Sequence, residues 1–282
     1  MLGRLLTRLI DSQAAWSEPV GGFLQGILKA IFRPMPWVKD LLHGKWLGHP
    51  LHAASTDLPI GVLGLAVLFD IAGLLDAAAV SVAAAVLLML LSALSGLADY
   101  TDTEGLARRR ATVHAAIMVL ALALALGSLA VRFADPGALL VAAVLSAGGF
   151  GLLLFGAFVG GDVVYVLGNM VDRHAFRPRS DRWVRLEVET APEGEPVRAK
   201  AGAQTLVLVR QGERIHALHD VCAHAACSLS TGKLVDGQIE CPCHGSRYRL
   251  SDGHVTRGPS LYDQPAFEVR QAEGGWEARR TS

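Results

Sequence analysis

The sequence predicts an α + β multidomain protein, in which an N-terminal α-helical bundle of four membrane spans precedes a C-terminal all-β domain. Three observations support this prediction. Apolar residues make up 51% of the 282 residues, and they concentrate in four long runs in the first 160 positions. Short alternating runs separated by turn residues, such as TLVLV, QGER and IHAL, follow position 183 and are typical of small β domains. All four cysteines lie in that second region.

The first 48 residues predict amphipathic helices rather than a span. Their leucines and isoleucines fall on one helical face, and Arg4 and Arg8 lie off that face. Such helices suit the membrane interface, and they equally suit packing against the ends of a bundle. The predicted boundaries are 1–48 for these helices, 49–171 for the transmembrane domain, 172–183 for a charged linker and 184–282 for the β domain.

The four predicted spans are Leu58–Leu75, Ala78–Ala98, Val113–Val131 and Gly137–Val159. Each contains about 18 or more residues, enough for a helix to cross the ~30 Å hydrocarbon core of a bilayer. A soluble helical bundle would show polar stripes, and these runs do not. Asp70 alone interrupts the first run. The lipid bilayer is therefore the first predicted partner.

Lysine and arginine near the span ends predict the orientation. Eleven of these residues flank one side of the predicted topology, and Arg132 alone flanks the other. The eleven are Arg33, Lys39, Lys45, Arg108, Arg109, Arg110, Arg173, Arg177, Arg179, Arg182 and Arg185. The positive-inside rule then places both termini, and with them the β domain, in the cytoplasm. The net charge is zero, which gives no indication of nucleic-acid binding.

Two short segments contain paired metal-binding side chains. Cys222-Ala-His224 is followed, after 16 residues, by Cys241-Pro-Cys-His244. Two cysteines and two histidines can hold zinc, but zinc fingers usually take both cysteines from one segment and both histidines from the other. One thiolate and one imidazole from each loop suit a [2Fe–2S] cluster with Cys₂ on one iron and His₂ on the other.

The pattern C-x-H-x16-C-x-x-H, with HGSRY and the RGPS of 257–260, resembles the Rieske iron–sulfur proteins over residues 184–282. The resemblance implies that Cys222 and Cys241 bind one iron of a [2Fe–2S] cluster. It implies that His224 and His244 bind the other iron, and that the loop at Pro259 helps to cover the cluster.

The resemblance extends to the two remaining cysteines and to two hydroxyl groups. Cys227 and Cys243 match positions that form a disulfide in the Rieske subunits of quinol-oxidising complexes, with two free buried thiols as the alternative. Ala226 replaces a usual glycine before Cys227, and alanine is strained there if the position needs φ > 0. Ser246 and Tyr248 match positions whose hydroxyl groups donate hydrogen bonds to cluster or cysteine sulfur in the family and raise its reduction potential. For Tyr248, the alternative is an ordinary aromatic side chain of the core.

The membrane half resembles an uncharacterised bacterial four-span family over about residues 45–172. GHPLH at 48–52, DLPIG at 57–61 and GGDVVYVLGN at 160–169 carry this resemblance, which implies topology and a bacterial inner membrane but no activity. Polar residues that could form a haem, quinone or proton site are also present, although interfacial histidines and a locally paired carboxylate would look the same. These candidates are His49, His52, His114 and Asp70.

Together these features predict a membrane-anchored Rieske protein that carries single electrons between a membrane redox pool and a partner protein. A quinol-oxidising enzyme subunit and a redox sensor are the alternatives. A Rieske oxygenase is disfavoured, because the sequence offers no second soluble domain for a 2-His-1-carboxylate site. The expected cofactor is a [2Fe–2S] cluster, and a quinone or haem in the bundle is a further candidate. The sequence leaves the oligomeric state open.

Overall fold

The computed structural model describes residues 2–135, 137–177 and 181–281. The chain separates into two units, Met1–Asn169 and Met170–Ser282. Arg179, one of the eleven basic residues counted for the orientation, lies outside the described residues.

Three helices precede the spans: α1 (Leu2–Asp11), α2 (Ala14–Phe32) and α3 (Pro36–His43). Helix α2 buries its small and polar side, with Ser17, Gly21 and Gln25 covered. Most of its large apolar side chains, including those of Trp16, Phe23 and Ile31, are exposed. This arrangement is the reverse of that in a soluble protein, and it suits a helix that turns its apolar face to lipid.

The remaining helices of this unit form four elements long and apolar enough to cross a membrane. They are α4 (Leu51–Ser55) with α5 (Asp57–Ile71), then α6 (Leu75–Tyr100), α7 (Gly105–Ala134) and α8 (Leu139–Gly161), which a short π-helical turn extends (Asp162–Val166). The predicted four-span bundle is confirmed.

Small residues let the spans approach closely, as membrane helices require. A Cβ added at Gly149 of α8 would lie 3.3 Å from the carbonyl oxygen of Ala121 on α7. The charged Asp70 is neutralised inside the bundle, where Arg132 Nη2 donates to its carboxylate at 2.6 Å and both side chains are buried. A buried, hydrogen-bonded pair of this kind avoids the cost of an isolated charge in an apolar surrounding.

The C-terminal unit is all β. A closed barrel has the strand order β1-β10-β9-β4-β3-β2, and a separate four-stranded sheet has the order β5-β6-β7-β8. The barrel strands are β1 (Val184–Glu187), β2 (Pro196–Ala201), β3 (Gln204–Gln211), β4 (Arg214–His219), β9 (Ala266–Ala272) and β10 (Gly275–Arg280). The sheet strands are β5 (Lys233–Val235), β6 (Gln238–Glu240), β7 (Arg247–Arg249) and β8 (Val255–Arg257). The predicted all-β domain is confirmed.

The hairpins of the barrel follow the turn residues of the sequence. Residues 201 and 204 pair across β2 and β3, and residues 211 and 214 pair across β3 and β4, so each turn has two residues. Gly202 and Gly212 begin these turns with φ of +59° and +62°. Two-residue hairpin turns need positive φ at this position, which glycine supplies without steric cost.

Candidate metal centre

The first cysteine loop follows β4 and is closed by a bridge between Val221 and Ser228. The N–H of Ala226 donates to the Cys222 carbonyl at 3.0 Å, and the N–H of Cys222 donates to the Cys227 carbonyl at 2.8 Å. Ala226 has φ of +65°, so the position does require the left-handed conformation. The loop is therefore a tight turn that starts and ends at a cysteine.

The second cysteine loop connects β6 to β7 and repeats this plan. The N–H of Gly245 donates to the Cys241 carbonyl at 3.1 Å, and the N–H of Cys241 donates to the Ser246 carbonyl at 2.8 Å. Gly245, four residues after the cysteine, has φ of +79°. Both loops thus place a left-handed residue at the same offset from their first cysteine.

The Cys222 thiol is buried and surrounded by donors. A hydrogen bond with the Cys241 thiol lowers the pKa of Cys222 to about 7. Burial opposes this shift, and the Tyr248 hydroxyl, 3.2 Å from the Cys222 sulfur, together with the backbone N–H groups of His224 and Ala225, supports it. The site therefore stabilises a thiolate at this position.

The same interaction acts in the opposite direction on Cys241. Its hydrogen bond with Cys222 raises the pKa of the Cys241 thiol, and burial adds to the increase. The backbone N–H groups of Cys243 and His244 partly offset this effect. The pair therefore accepts one negative charge readily and a second one only beside a cation. Iron supplies such a charge, so the donor set fits the cluster that the sequence implies.

The two imidazoles of the loops lie together. The ring centres of His224 and His244 are 4.9 Å apart, and their planes are nearly perpendicular, at 83°. His224 is buried with 4% of its surface exposed, whereas His244 is half-buried. The structure thus pairs the two predicted imidazoles as it pairs the two predicted thiols, and His244 is the less buried of the two imidazoles.

Cys227 and Cys243 are bonded to each other and link the two loops. The sulfur atoms of Cys227, Cys241 and Cys243 lie within 4.8 Å of one another. Because two of these sulfurs form the disulfide, Cys241 is the member of this group that can donate a thiolate to a metal. The bridge lies directly beside that thiolate.

A third loop, at 258–262, covers Ser246. The backbone N–H of Ser260 donates to Ser246 Oγ at 3.0 Å, and Ser246 is fully buried. This bond uses the serine as an acceptor, so its own proton can be donated elsewhere. The Tyr248 hydroxyl lies against the Cys222 sulfur, and the proton of Ser246 remains available for the donor role that the resemblance implies.

Comparison with known families agrees with this geometry. Residues 182–268 match the Rieske [2Fe-2S] domain, and residues 48–173 match the predicted membrane protein family DUF2231. Ferredoxin CarAc of Metapseudomonas resinovorans is 36% identical over 75 residues, which cover 27% of this chain and 70% of that protein. This chain belongs to the Rieske [2Fe–2S] family.

Two further relatives match the Rieske domain. The cytochrome b6-f complex iron-sulfur subunit 3 of Nostoc sp. is 42% identical over 62 residues, which cover 21% of this chain and 34% of the subunit. A chain in the solved complex of reduced oxygenase and oxidized ferredoxin in carbazole 1,9a-dioxygenase is 28% identical, with a TM-score of 0.32, over 36% of this chain and 99% of that one. The Rieske match and the membrane-family match with its four apolar helices identify an electron-transfer iron–sulfur protein with a multi-pass membrane domain.

A buried glutamine that was not among the predicted site residues holds the first loop of the Rieske domain. Gln264 accepts from the N–H of Ala223 at 3.0 Å and donates through Nε2 to the carbonyls of His219 and Val221. One fully buried amide thus fixes three backbone groups around Cys222. A single glutamine before a strand has no pattern by which the sequence could indicate this role.

A pair of buried histidines lies behind the same loop. The ring centres of His174 and His219 are 4.7 Å apart, and both residues are almost fully buried. Burial lowers the pKa of His174 to about 4 and that of His219 to about 3, and the nearby Arg177 acts in the same direction. Both rings are therefore neutral at physiological pH. His174 was also missed, because it lies in a charged stretch without periodicity.

Residues 170–177 pack within the Rieske unit. Arg173 Nε donates to the His224 carbonyl at 3.3 Å, and the Tyr262 hydroxyl donates to the Met170 carbonyl at 3.3 Å. Met170 is buried. Within the predicted linker 172–183, Arg173 thus contacts the first cysteine loop, and His174 contacts the strand before it.

In the membrane domain the four candidate residues separate. The rings of His52 and His114 lie close together, with centres 6.1 Å apart. His49 is exposed. Asp70 and its partner Arg132 lie at the opposite end of the spans. The structure therefore groups two of the candidates and places the other two elsewhere.

A buried ionic cluster at the N-terminal end of the first span was not predicted. His43 Nε2 lies 3.2 Å from Asp102 Oδ2 and 3.8 Å from Asp99 Oδ1, and Lys39 Nζ lies 2.8 Å from Asp102 Oδ1. Burial lowers the pKa of His43, but the two carboxylates outweigh burial and raise it. The residues lie on α3, at the end of α6 and in the loop after α6, so only the folded bundle brings them together.

Proposed function

We propose that this protein carries single electrons through a [2Fe–2S] cluster held by Cys222 and Cys241 on one iron and by His224 and His244 on the other. The observation that carries the proposal is the matched pair of loops, which bring two buried thiols and two imidazoles together. When bound, the cluster supplies a site that gains and loses one electron.

The protein's own groups tune that site. The N–H groups aimed at both cysteine sulfurs and the Tyr248 hydroxyl stabilise the negative charge that reduction adds. The Cys227–Cys243 bridge and Gln264 fix the loops, so little reorganisation accompanies electron transfer. Because His244 is the less buried imidazole, we propose that electrons enter and leave through it.

The electron route runs between a membrane redox pool and a partner protein. The matching relative from Metapseudomonas is a ferredoxin, and a carrier role of the same kind suits a small domain without a second metal site of its own in the described residues. The fused membrane bundle supports a donor in the bilayer, such as a quinone or a haem bound near the histidines.

We place the protein in a bacterial inner membrane with the Rieske domain on the cytoplasmic side. The support is the eleven-to-one distribution of lysine and arginine around the spans. Fusions of a fluorescent protein and of a periplasmic phosphatase to the C-terminus test this orientation. Fluorescence with an inactive phosphatase is expected, and the reverse result would overturn the placement.

A quinol-oxidising enzyme subunit is the second candidate. The disulfide beside the cluster and the 42% identity to a cytochrome b6-f iron–sulfur subunit favour it. In that role His244, the less buried imidazole, would receive a hydrogen bond and then a proton from the quinol. The two candidates differ in whether the protein turns over quinol by itself.

The deciding experiment uses the full-length protein purified in detergent. Two irons and two acid-labile sulfides per chain, with a Rieske electron paramagnetic resonance signal after reduction, are expected. One zinc and no iron would overturn the proposal. Quinol is then added with an artificial electron acceptor. A single reduction of the cluster supports the carrier, and sustained quinol oxidation supports the enzyme.

A further inference from the structure

His52 lies in an environment built around its ring. Its Nδ1 lies 2.9 Å from the backbone carbonyl oxygen of Ser92 on α6. One turn further along α6, Gly96 lies against the ring, because a Cβ there would approach the Cε1 and Nδ1 atoms of His52 at 2.9 Å. A side chain at Gly96 would thus displace the imidazole from its present position.

His114, on a different helix, has the same environment. Its Nδ1 lies 2.8 Å from the carbonyl oxygen of Gly156 on α8. Gly160, again four residues further on, lies against the ring, and a Cβ there would approach Cε1 at 3.1 Å. A carbonyl at one position and a glycine four positions later therefore recur on two separate helices, each serving one histidine.

This environment fixes the chemistry of both rings. A carbonyl can only accept, so Nδ1 of each imidazole must be the nitrogen that carries hydrogen. In a neutral ring the lone pair is then on Nε2. Histidines that bind metals are held in this way, with the second nitrogen donating to a carbonyl or carboxylate that fixes the ring and its tautomer.

The distance between the rings fits one metal between them. A histidine nitrogen lies about 2.0–2.1 Å from a bound metal, and the ring centre lies about 1 Å beyond the nitrogen, so two imidazoles on opposite sides of one metal have centres about 6 Å apart. The observed separation of His52 and His114 is 6.1 Å, with an angle of 78° between the planes.

The ligand count selects the kind of metal. Within the described residues, three or more histidine, cysteine or acidic donor atoms come within reach of one ion only at Cys227, Cys241 and Cys243. The histidine pair therefore has no third protein ligand there, and a protein-bound zinc ion needs three or four. Haem iron needs only axial ligands from the protein, since the porphyrin supplies the others.

We propose that the membrane bundle binds one haem, with His52 and His114 as its two axial ligands. This inference rests on the proposed electron-carrying role and identifies the membrane cofactor, but the haem can be detected without any reaction of the cluster. The two glycines are positioning residues, which let the imidazoles lie against α6 and α8.

The test is spectroscopy of the full-length protein, produced with added haem precursor and purified in mild detergent. We expect one haem per chain with the optical and electron paramagnetic resonance spectra of a low-spin, bis-histidine iron. His52→Ala and His114→Ala should each lower the bound haem at least tenfold. His49→Ala, which removes an exposed histidine three positions from His52, should leave it unchanged.

Glycine variants test the geometry. Gly96→Ala should perturb the low-spin spectrum, whereas Gly151→Ala on α8, where a Cβ would meet nothing within 4 Å, should not. The Rieske signal of each variant reports folding and separates this inference from the cluster proposal. Wild-type protein that takes up no haem even after haemin is added would overturn the inference. Copurified quinone without haem, or unchanged haem in both histidine variants, would do so too.

Discussion

The two cluster loops share one backbone plan but are held in different ways. Each has a cysteine, two N–H groups aimed at its sulfur and a left-handed residue four positions later. In the second loop that residue is Gly245, which adopts the conformation freely. In the first it is Ala226, which does so at a cost of about 1–2 kcal/mol.

Distant contacts compensate for the local cost in the first loop. Gln264 fixes its backbone, and Arg173 donates to the His224 carbonyl. His224 in this loop is almost fully buried, and His244 in the second loop is the less buried imidazole. The second loop is thus stabilised mainly by its own sequence, whereas the first loop is stabilised by contacts with distant residues.

Removing the thiolates should show that the loops are equally necessary despite this difference. Cys222→Ser and Cys241→Ser should each abolish the cluster, because in the proposed assignment each removes one of two ligands from the same iron. Iron and acid-labile sulfide analysis of the purified variants measures the effect. If either variant retained two irons with an unchanged Rieske spectrum, the assignment of that cysteine would be wrong.

Cutting the covalent link between the loops should have the next largest effect. The Cys227–Cys243 bridge spans a sequence separation of 16, and closing a loop of about 15 residues stabilises a fold by about 3 kcal/mol. The double variant Cys227→Ser/Cys243→Ser should lose its cluster at a lower temperature, followed by visible absorbance. A variant as stable as the parent would mean that the other contacts hold the loops without the bridge.

Lowering the pH should destabilise the first loop, because His174 and His219, which are buried behind it, resist protonation in the folded protein. The folded pKa values of His174 and His219 lie below the ordinary 6.5, so the unfolded chain takes up protons first as pH falls. The free energy of unfolding should therefore be constant well above pH 6.5, decrease by about 2 kcal/mol between pH 6.5 and pH 5.5, and decrease further as the pH falls to 4. Thermal loss of the cluster, measured against pH, reports this decrease.

A matched pair of variants assigns that acid effect. His174→Leu should flatten the decrease, because it removes one of the two groups that resist protonation. His254→Asn, at an exposed histidine beside Asp263, should keep the decrease as in the parent. An identical pH profile in all three proteins would show that the histidine pair does not control acid stability.

The Tyr248 hydroxyl contacts the sulfur of the first loop. Its replacement in Tyr248→Phe removes a hydrogen bond to Cys222 that stabilises the reduced state. One such bond is worth about 1 kcal/mol, which for a one-electron couple lowers the midpoint potential by about 40 mV. Redox titration followed by electron paramagnetic resonance measures the shift. Tyr262→Phe, whose hydroxyl donates to Met170, is the control and should not change the potential.

The smallest effect is expected from exchanging alanine and glycine at the two left-handed positions, Ala226 and Gly245, and this exchange tests the comparison most directly. Ala226→Gly should relieve strain and raise the stability of the first loop by about 1 kcal/mol, and Gly245→Ala should lower that of the second by a similar amount. Thermal loss of the cluster compares the two variants. If Ala226→Gly destabilised the protein, the contacts of Gln264 and Arg173 would already relieve the backbone strain at Ala226, and glycine would have nothing to gain.

The features that the sequence could predict are those determined by local patterns. The four spans follow from uninterrupted apolar runs, and the all-β region follows from alternation with turn residues. Both cysteine loops could be located because each loop places its ligands within three residues. The left-handed position at Ala226 was anticipated from its family resemblance and has φ of +65°.

The contacts that could not be predicted join separate segments. Arg173 and His224 are 51 residues apart, and Ala223 and Gln264 are 41 apart. His174 is polar and lies in a stretch that looks like solvated chain, yet it is buried against His219. Such pairs depend on the three-dimensional path of the chain, and a single sequence has no periodicity that indicates them. The paired environments of His52 and His114 belong to the same class.

The packing of residues 170–177 also determines where mechanical load enters the Rieske domain. A pull along the chain from the membrane side arrives first at Met170 and then at Arg173, whose partners are the Tyr262 hydroxyl and the His224 carbonyl. The barrel strands begin only at Val184, further along the chain. Tension therefore reaches the cluster loops before it reaches the barrel, and it would displace Met170 and Arg173 before the buried His174 behind the first loop.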